Sequence, residues 1–238
     1  MGESKRTLAI DIGGTGLKML VLDPAGKRLT ERARVRTPRP ALPDAILDAL
    51  MGMVEAHGDF ERVSCGFPGV VHDGVVKNAP NLHPAWGSVD LAGALQDRTG
   101  RPARVCNDAD VQGYAVVQGQ GVELVVTLGT GFGSALFVDG KLVPNLELGH
   151  HPFRKGRTYE EAIGKPALQS IGKKRWNRRL AKAIPQLARL FNYRRLYLGG
   201  GHARLVRFSL PENAQVVSNE AGLLGGIALW RDNEPAPA

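Results

Sequence analysis

Two stretches of this chain repeat one pattern. Residues 8–27 read LAIDIGGTGLKMLVLDPAGK, and residues 124–141 read LVVTLGTGFGSALFVDGK. Each is an apolar run, a Gly/Thr-rich turn, a second apolar run and an Asp/Gly turn ending in Lys. Apolar runs folded about such turns spell a β-hairpin. Glycine has no Cβ to hold phosphate oxygens away from backbone N–H groups, so each turn is a candidate anion cradle. Two such turns from similar half-domains suit a grip on a phosphate chain from both sides.

The rest of the chain alternates strands and helices, which argues α/β layers. Residues 8–12 and 17–22 read as the strands of the first hairpin. After the prolines at 38, 40 and 43, Asp44 caps a helix to about 57 with Ile46, Leu47, Leu50, Met53 and Val54 as its apolar stripe. A strand follows at 63–67, a small hairpin at 70–77 and a Pro/Asn-rich loop at 78–87. Next come a helix at 90–99, a strand at 103–106 and a helix at 109–118. The second hairpin spans 122–143. Helical segments follow near 158–171 and 173–191, the latter kinked or split by Pro185, and then a strand at 195–198 closed by three glycines. A glycine-rich last helix is expected at 219–230 and a disordered tail at 233–238. With 238 residues and 43% hydrophobic content, the chain can build one large domain or two small lobes. The division is expected near residue 108, as 1–108 and 109–238, with the last helix crossing back to the first lobe.

No apolar run approaches the roughly 20 residues that span a bilayer. The first run is interrupted by Asp11 and Lys18 and has no small-residue cleavage site after it, so it does not read as a signal peptide. No membrane partner is expected, and a cytoplasmic location is the default. Two cysteines, Cys65 and Cys106, exclude a disulfide scaffold and a four-cysteine zinc site. The net charge of +8 favours a polyanionic partner. Its densest source is the segment 173–195, with nine Lys/Arg and no acid. The apolar stripe there (Trp176, Leu180, Ile184, Leu187, Phe191) makes it a core-packed helix with a charged outer face, so no nucleic-acid partner is expected. Steering of a polyanionic phosphoryl donor and plain solvation both account for that face.

Signatures that would divert the reading are absent: no G-x-x-x-x-G-K-[ST], no G-x-G-x-x-G, no HExxH and no GxSxG. What remains is Asp11 directly ahead of Gly13, Gly14 and Thr15. A carboxylate there suits Mg²⁺, held mostly through water, while the turn amides face phosphates. The second turn, Gly129, Thr130 and Gly131, makes coincidence a poor explanation. Asn107 and Asp108 close a strand. A hydroxyl is a weak nucleophile until a base takes its proton, which Asp108 can do, while Asn107 orients a neighbouring hydroxyl. Both residue types also favour a helix N-cap, and the two roles are compatible. Glu147-x-Gly149-His150 offers an acceptor and a donor together, as a polyol requires. Asn81 and Trp86 in the Pro/Asn-rich loop make a further sugar platform of amide and aromatic wall.

In order, IDIGGTGLK, CGFPGVV, APNL with a following Trp, CNDAD, LGTGFGSALF, LELGHH and LYLGGG resemble the ROK family of sugar kinases, over residues 8 to about 230. Within it the chain is most similar to polyphosphate glucokinases. The resemblance implies an α/β, two-lobed fold of the actin, hexokinase and Hsp70 type (ribonuclease H-like), with sugar bound in the cleft. It implies Asp108 as the base for the sugar 6-hydroxyl and Asn81, Asn107, Glu147 and His150 on other hydroxyls. It places phosphates at the turns Gly13–Thr15 and Gly129–Gly131, with Gly200 bordering a nucleotide or the far end of a phosphate chain. Asp11 serves Mg²⁺. Most members carry a cysteine-rich zinc loop after the Glu-x-Gly-His motif; here HPFRKGRTYEEAIG has no cysteine, so no structural zinc is expected. A further sugar-contacting glutamate common in the family falls on Glu160 or Glu161. Dimers are common in the family, and a homodimer is admitted. The expected activity is a hexose kinase, with glucose as acceptor and ATP or polyphosphate as donor. Two rivals stay open: a kinase for an N-acetylated amino sugar, and a non-catalytic sugar or polyphosphate binding protein.

Overall fold

The structure, a computed structural model, describes residues 5–218 and 221–230. Its contacts divide into two compact units, one running to Ala115 and resuming at Gly222, the other spanning Val116–Ala221. Among the described residues no helix is long and apolar enough to cross a membrane.

The first unit is built from β1 (Thr7–Ile12), β2 (Leu17–Leu22), β3 (Ala33–Val35), α1 (Pro43–Val54), β4 (Arg62–Phe67), the small hairpin β5 (Val71–His72) and β6 (Val75–Val76), α2 (Leu91–Thr99), β7 (Ala103–Asn107) and α3 (Asp108–Tyr114). The sheet order is β3-β2-β1-β4-β7, with β1 antiparallel to β2 and parallel to β4, and β4 parallel to β7. Leu8, Ile10 and Ile12 share one core with Leu17, Met19 and the α1 stripe Ile46, Leu47 and Leu50. Their strand neighbours Ala9, Leu20 and Leu22 face the other way and pack on Leu223 and Ile227. Burial of both sheet faces is why these strands read as continuous apolar runs rather than alternating ones.

The second unit repeats the plan: β8 (Val122–Leu128), β9 (Phe132–Val138), β10 (Lys141–Val143), the hairpin β11 (Pro152–Arg154) and β12 (Arg157–Thr158), α4 (Tyr159–Ile163), α5 (Lys165–Phe191), β13 (Arg195–Gly199) and β14 (Ala214–Val216). Its sheet order, β10-β9-β8-β13-β14, matches the first in succession and sense: an antiparallel hairpin followed by two parallel strands. The similarity of the two hairpins in sequence is thus a similarity of two sheets.

The chain then returns to the first unit as α6 (Ala221–Leu224) and a 3₁₀ segment, Gly225–Trp230. Two glycines make the approach possible, since a Cβ on Gly225 would lie 1.8 Å from the Val111 carbonyl oxygen and one on Gly226 3.0 Å from Ser64 Cβ. Ser64 Oγ donates to the Gly226 carbonyl at 2.7 Å and accepts from Trp230 Nε1 at 2.8 Å. The guanidinium groups of Arg62 and Arg104 lie over the Trp230 ring, 5.1 and 4.3 Å from its centroid. Of the helix expected at 219–230, residues 219–220 lie outside the described residues, as does the tail 233–238.

Several element expectations need correction. Asp44 is not the cap of α1: Leu42 holds that position and Pro43 takes the first helical one, leaving Asp44 in the first turn. The helix also stops at Val54, because the 56 and 57 amides tighten onto Met53 and Val54 carbonyls and Gly58 follows at φ 72°. The helix expected to reach 118 ends at Tyr114, since the Glu123 carboxylate draws in the N–H groups of Gln118, Gly119 and Gln120. Pro185 does not break α5; the non-helical residue is Gly172 (φ 72°, ψ 163°). Proline costs about 3 kcal/mol in a helix interior, and the fully buried stripe Trp176, Leu180, Ala183, Ile184 and Leu187 offsets it. The three-residue strands β3 and β14 were not visible in the sequence, since a short charged segment such as ERARVR has no apolar run, although Ala33 packs on the core.

Candidate active site

In the first unit the parallel register sets Asp11 opposite Gly66 and Gly66 opposite Cys106, so the turns after β1, β4 and β7 leave the sheet along one edge. Ligands of α/β sheets collect at this carboxyl end of the strands. The turn after β1 is closed by Gly13 N–H donating to the Gly16 carbonyl at 3.1 Å. Its carbonyls are tied from outside: Thr37 Oγ1 donates to Gly13 O at 2.5 Å and Arg39 Nη2 to Gly14 O at 2.7 Å. A Cβ on Gly14 would sit 3.3 Å from the Asn81 carbonyl. The first glycine turn, carrying Gly13, Gly14 and Thr15, and the Asn81 loop are therefore neighbours, although each is a candidate for a separate reason. Trp86 is different. It is fully buried against Phe67, ring centroids 4.9 Å apart, with Nε1 bonded to the Ala41 carbonyl. It is a core residue and cannot serve as a sugar wall.

Asn107 ends β7 and caps α3, its Oδ1 accepting from the N–H groups of Ala109 (2.8 Å) and Asp110 (3.3 Å). Its Nδ2 donates to the Gly69 carbonyl at 3.1 Å, which leaves one N–H for a ligand. Gly69 must be glycine, as a Cβ there would lie 2.2 Å from the Asn78 carbonyl. This lattice of short contacts holds Asp108 at the first helical position, half-exposed, beside Gly66, whose added Cβ would lie 3.4 Å from Asp108 Cα. The neighbouring thiols are inert: burial, with Asp110 alongside, pushes Cys106 up to about 12, and burial pushes Cys65 higher still.

Asp11 faces Lys18 across the first hairpin, Oδ2 to Nζ at 2.5 Å. The corresponding residue of the second hairpin is Thr127, so only one turn has a carboxylate at its entrance. A single half-buried carboxylate beside a glycine turn fits a magnesium ion that keeps most of its water and takes its remaining ligands from phosphate. Among the described residues no cluster of three or more metal-ligating side chains exists.

In the second unit the turn Gly129–Gly131 follows β8 in the same way, closed by Gly129 N–H donating to Gly131 O at 3.3 Å. Gly200, just past β13, lies at φ 81°, and a Cβ there would be 2.5 Å from the Leu128 carbonyl. The third glycine motif thus rests against the base of the second glycine turn. On the other side, the Thr130 carbonyl accepts from Lys165 N–H at 3.0 Å. Glu160 Oε2 accepts from Phe132 N–H at 3.1 Å, in space that any Cβ on Gly131 would occupy. His202, whose N–H donates to Leu128 O, has a buried Nδ1 without a partner among the described residues. Burial, Lys165 and Arg204 together hold its ring below the usual histidine range. Lys165 and His202 at this turn were missed by sequence reasoning; one strand-end contact and one cationic neighbour leave no periodic signal.

Glu147 and His150 meet at 3.3 Å, Oε2 to Nε2. Ser134 pins their turn to β9, donating to Leu146 O and accepting from Leu148 N–H. Gly149 is obligatory, since a Cβ would lie 2.4 Å from Phe132 O. Burial raises the Glu147 carboxyl above its usual range and Glu160 adds to this, while His150 opposes it. Glu161 is occupied elsewhere, as the reciprocal partner of Thr158 in the capping box of α4. The structure thus sets Glu160, not Glu161, against Glu147 and the second turn.

Paired β-hairpins with glycine turns, each followed by parallel strands, and an acid at the carboxyl edge of one sheet define an actin/hexokinase-type α/β phosphotransferase fold. Residues 7–161 match the ROK family, and the chain belongs to it. It is similar to the polyphosphate glucokinase of Mycobacterium tuberculosis (strain ATCC 25618 / H37Rv), 29% identical over 91% of this chain and 88% of that protein. The inorganic polyphosphate/ATP-glucomannokinase of Arthrobacter sp. strain KM superposes with a TM-score of 0.86 at 34% identity, covering 94% of this chain and 97% of the other. A ROK family glucokinase from Streptomyces griseus, solved with glucose and AMPPNP, gives a TM-score of 0.77 at 25% identity over 96% of this chain and 100% of the other.

Proposed function

We propose that this ROK protein is a hexose kinase that moves the terminal phosphoryl group of polyphosphate or ATP to the 6-hydroxyl of glucose. The observation that carries the reading is Asp108: half-exposed, rigidly held by the Asn107 cap, on the same sheet edge as the first glycine turn. Its carboxylate accepts the hydroxyl proton as the sugar oxygen bonds to phosphorus and the bond to the leaving phosphate breaks, with the electron pair going to that phosphate. Asn81, the remaining Asn107 N–H, Glu147, His150 and Glu160 hold the other hydroxyls. Three polar side chains converging within one unit suit a polyol better than a monohydric acceptor. The N–H groups of Gly13–Thr15 and Gly129–Gly131, bordered by Gly200, Lys165 and His202, hold the donor. Asp11 would hold Mg²⁺, which neutralises phosphate charge when bound.

The test is a coupled assay with a sugar panel, including N-acetylmannosamine, against ATP and polyphosphate. Glucose turnover that falls about 10²–10⁴-fold in Asp108→Asn, with KM for glucose nearly unchanged, is the expected outcome. Binding of sugar without turnover by the wild-type protein would leave a non-catalytic binding protein instead.

A further inference from the structure

A cavity of about 410 Å³ in the second unit is lined by Arg154, Lys155, Arg157, Ala162 and Arg179. Of the five described wall residues four are cations, and among the described residues none of the four has a carboxylate partner within salt-bridge distance. Arg154 and Arg179 are half-buried, whereas Lys155 and Arg157 are exposed at the mouth. Arg179 is held in place by donating Nη1 to the Ala162 carbonyl at 2.9 Å. Burial and the like charges of Arg154 and Arg157 depress its pKa from the usual guanidinium value. Solvation alone explains exposed lysines on a helix. It does not explain three guanidinium groups gathered around one cavity, where each raises the cost of the others.

We propose that this cavity is an anion subsite that binds a segment of a linear phosphoanhydride chain, the part of a polyphosphate donor distant from the reacting phosphate. This rests on the kinase reading above and deepens it. Guanidinium forks match phosphate oxygens two at a time, and four cations suit a ligand with one charge or more per unit. The described wall residues offer no aromatic face on which a base can stack, which argues against nucleic acid or the nucleoside end of ATP. The cavity and the second glycine turn are joined through one helix, since Ala162 of α4 lines the cavity. The five residues of α4 span about 7.5 Å. Its first turn carries Glu160, bonded to Phe132 N–H, and Lys165 just past its end bonds Thr130 O. A linear phosphate chain held at the turn would reach the cavity by passing this one short helix.

Among the described residues, the side chains of the exposed pair Lys155 and Arg157 make no hydrogen bond or ion pair, so the double variant Lys155→Gln/Arg157→Gln tests the site without dismantling it. Titration of the full chain with inorganic tripolyphosphate and with long-chain polyphosphate should show binding of the long chain weakened roughly tenfold in the variant, with a shallower salt dependence. In initial-rate assays the ratio of KM for long polyphosphate to KM for ATP should rise by a similar factor. Unchanged long-chain binding, or an equal rise in both KM values, overturns the subsite. If neither donor supports turnover in the wild type, the kinase reading fails while the titration still decides whether the cavity binds phosphate chains.

Discussion

Replacing Gly200 by alanine tests whether the second glycine turn, the proposed donor site, depends on the glycine motif that follows β13. An L-residue at the observed φ of 81° carries a strain of about 1–2 kcal/mol. The added Cβ would also lie 2.5 Å from Leu128 O and 2.7 Å from Leu128 N, both backbone atoms that cannot rotate away. Overpacking of this kind costs about 1–3 kcal/mol. The sum, roughly 2–5 kcal/mol, corresponds to a Tm lower by about 5–15 °C in a chain of this size. Leu128 leads straight into Gly129, so relief of the clash displaces the turn, and KM for the donor should rise more than KM for glucose. Gly201→Ala is the control: it has no neighbour within 4 Å and no left-handed φ. It should shift stability by less than about 0.5 kcal/mol. Thermal melts and initial rates on both variants decide the matter. Equal Tm values, or a destabilised Gly200→Ala protein with an unaltered donor KM, would refute the proposed coupling.

Two further outcomes follow from titrating groups. Glu147 has its carboxyl raised in the fold by burial, then by Glu160, so the stability it contributes is present below its unfolded value and is lost as pH rises through the folded one. Glu147→Gln should therefore melt higher than wild type at pH 8, converge with it in acid, and bind glucose more weakly; a lower Tm at pH 8 contradicts the assignment. Glu123 has the opposite sign. Burial pushes it up, but the N–H groups of Gln118, Gly119 and Gln120 and the Tyr197 hydroxyl outweigh this and leave it below the usual carboxylate range. Its stabilisation is present above the unfolded pKa and disappears as pH falls through the depressed value. Glu123→Gln should cost about 3 kcal/mol in urea unfolding at pH 7, because an amide offers one acceptor to four donors; a loss under about 1 kcal/mol would show that the carboxylate is not the anchor of β8.

The amino-acid sequence alone determined the two hairpins, their glycine turns, the order of most strands and helices, and the candidacy of Asp108, Asn107 and Glu147. These are local properties: a run of apolar residues, a turn without Cβ atoms, an acid after a strand. Sheet order, close approach and burial were decided only in three dimensions, because they depend on residues far apart in the chain. The sequence could not choose between Glu160 and Glu161, adjacent residues of one type; the capping box took Glu161 and the space beside Gly131 took Glu160. Trp86 and Asn81 lie five residues apart in one loop, yet packing against Phe67 sent the first into the core, while the second reached the Gly14 turn. The four cations around the 410 Å³ cavity come from a hairpin and a helix more than twenty residues apart. Only the folding of α5 back against α4 gathers those charges around one space.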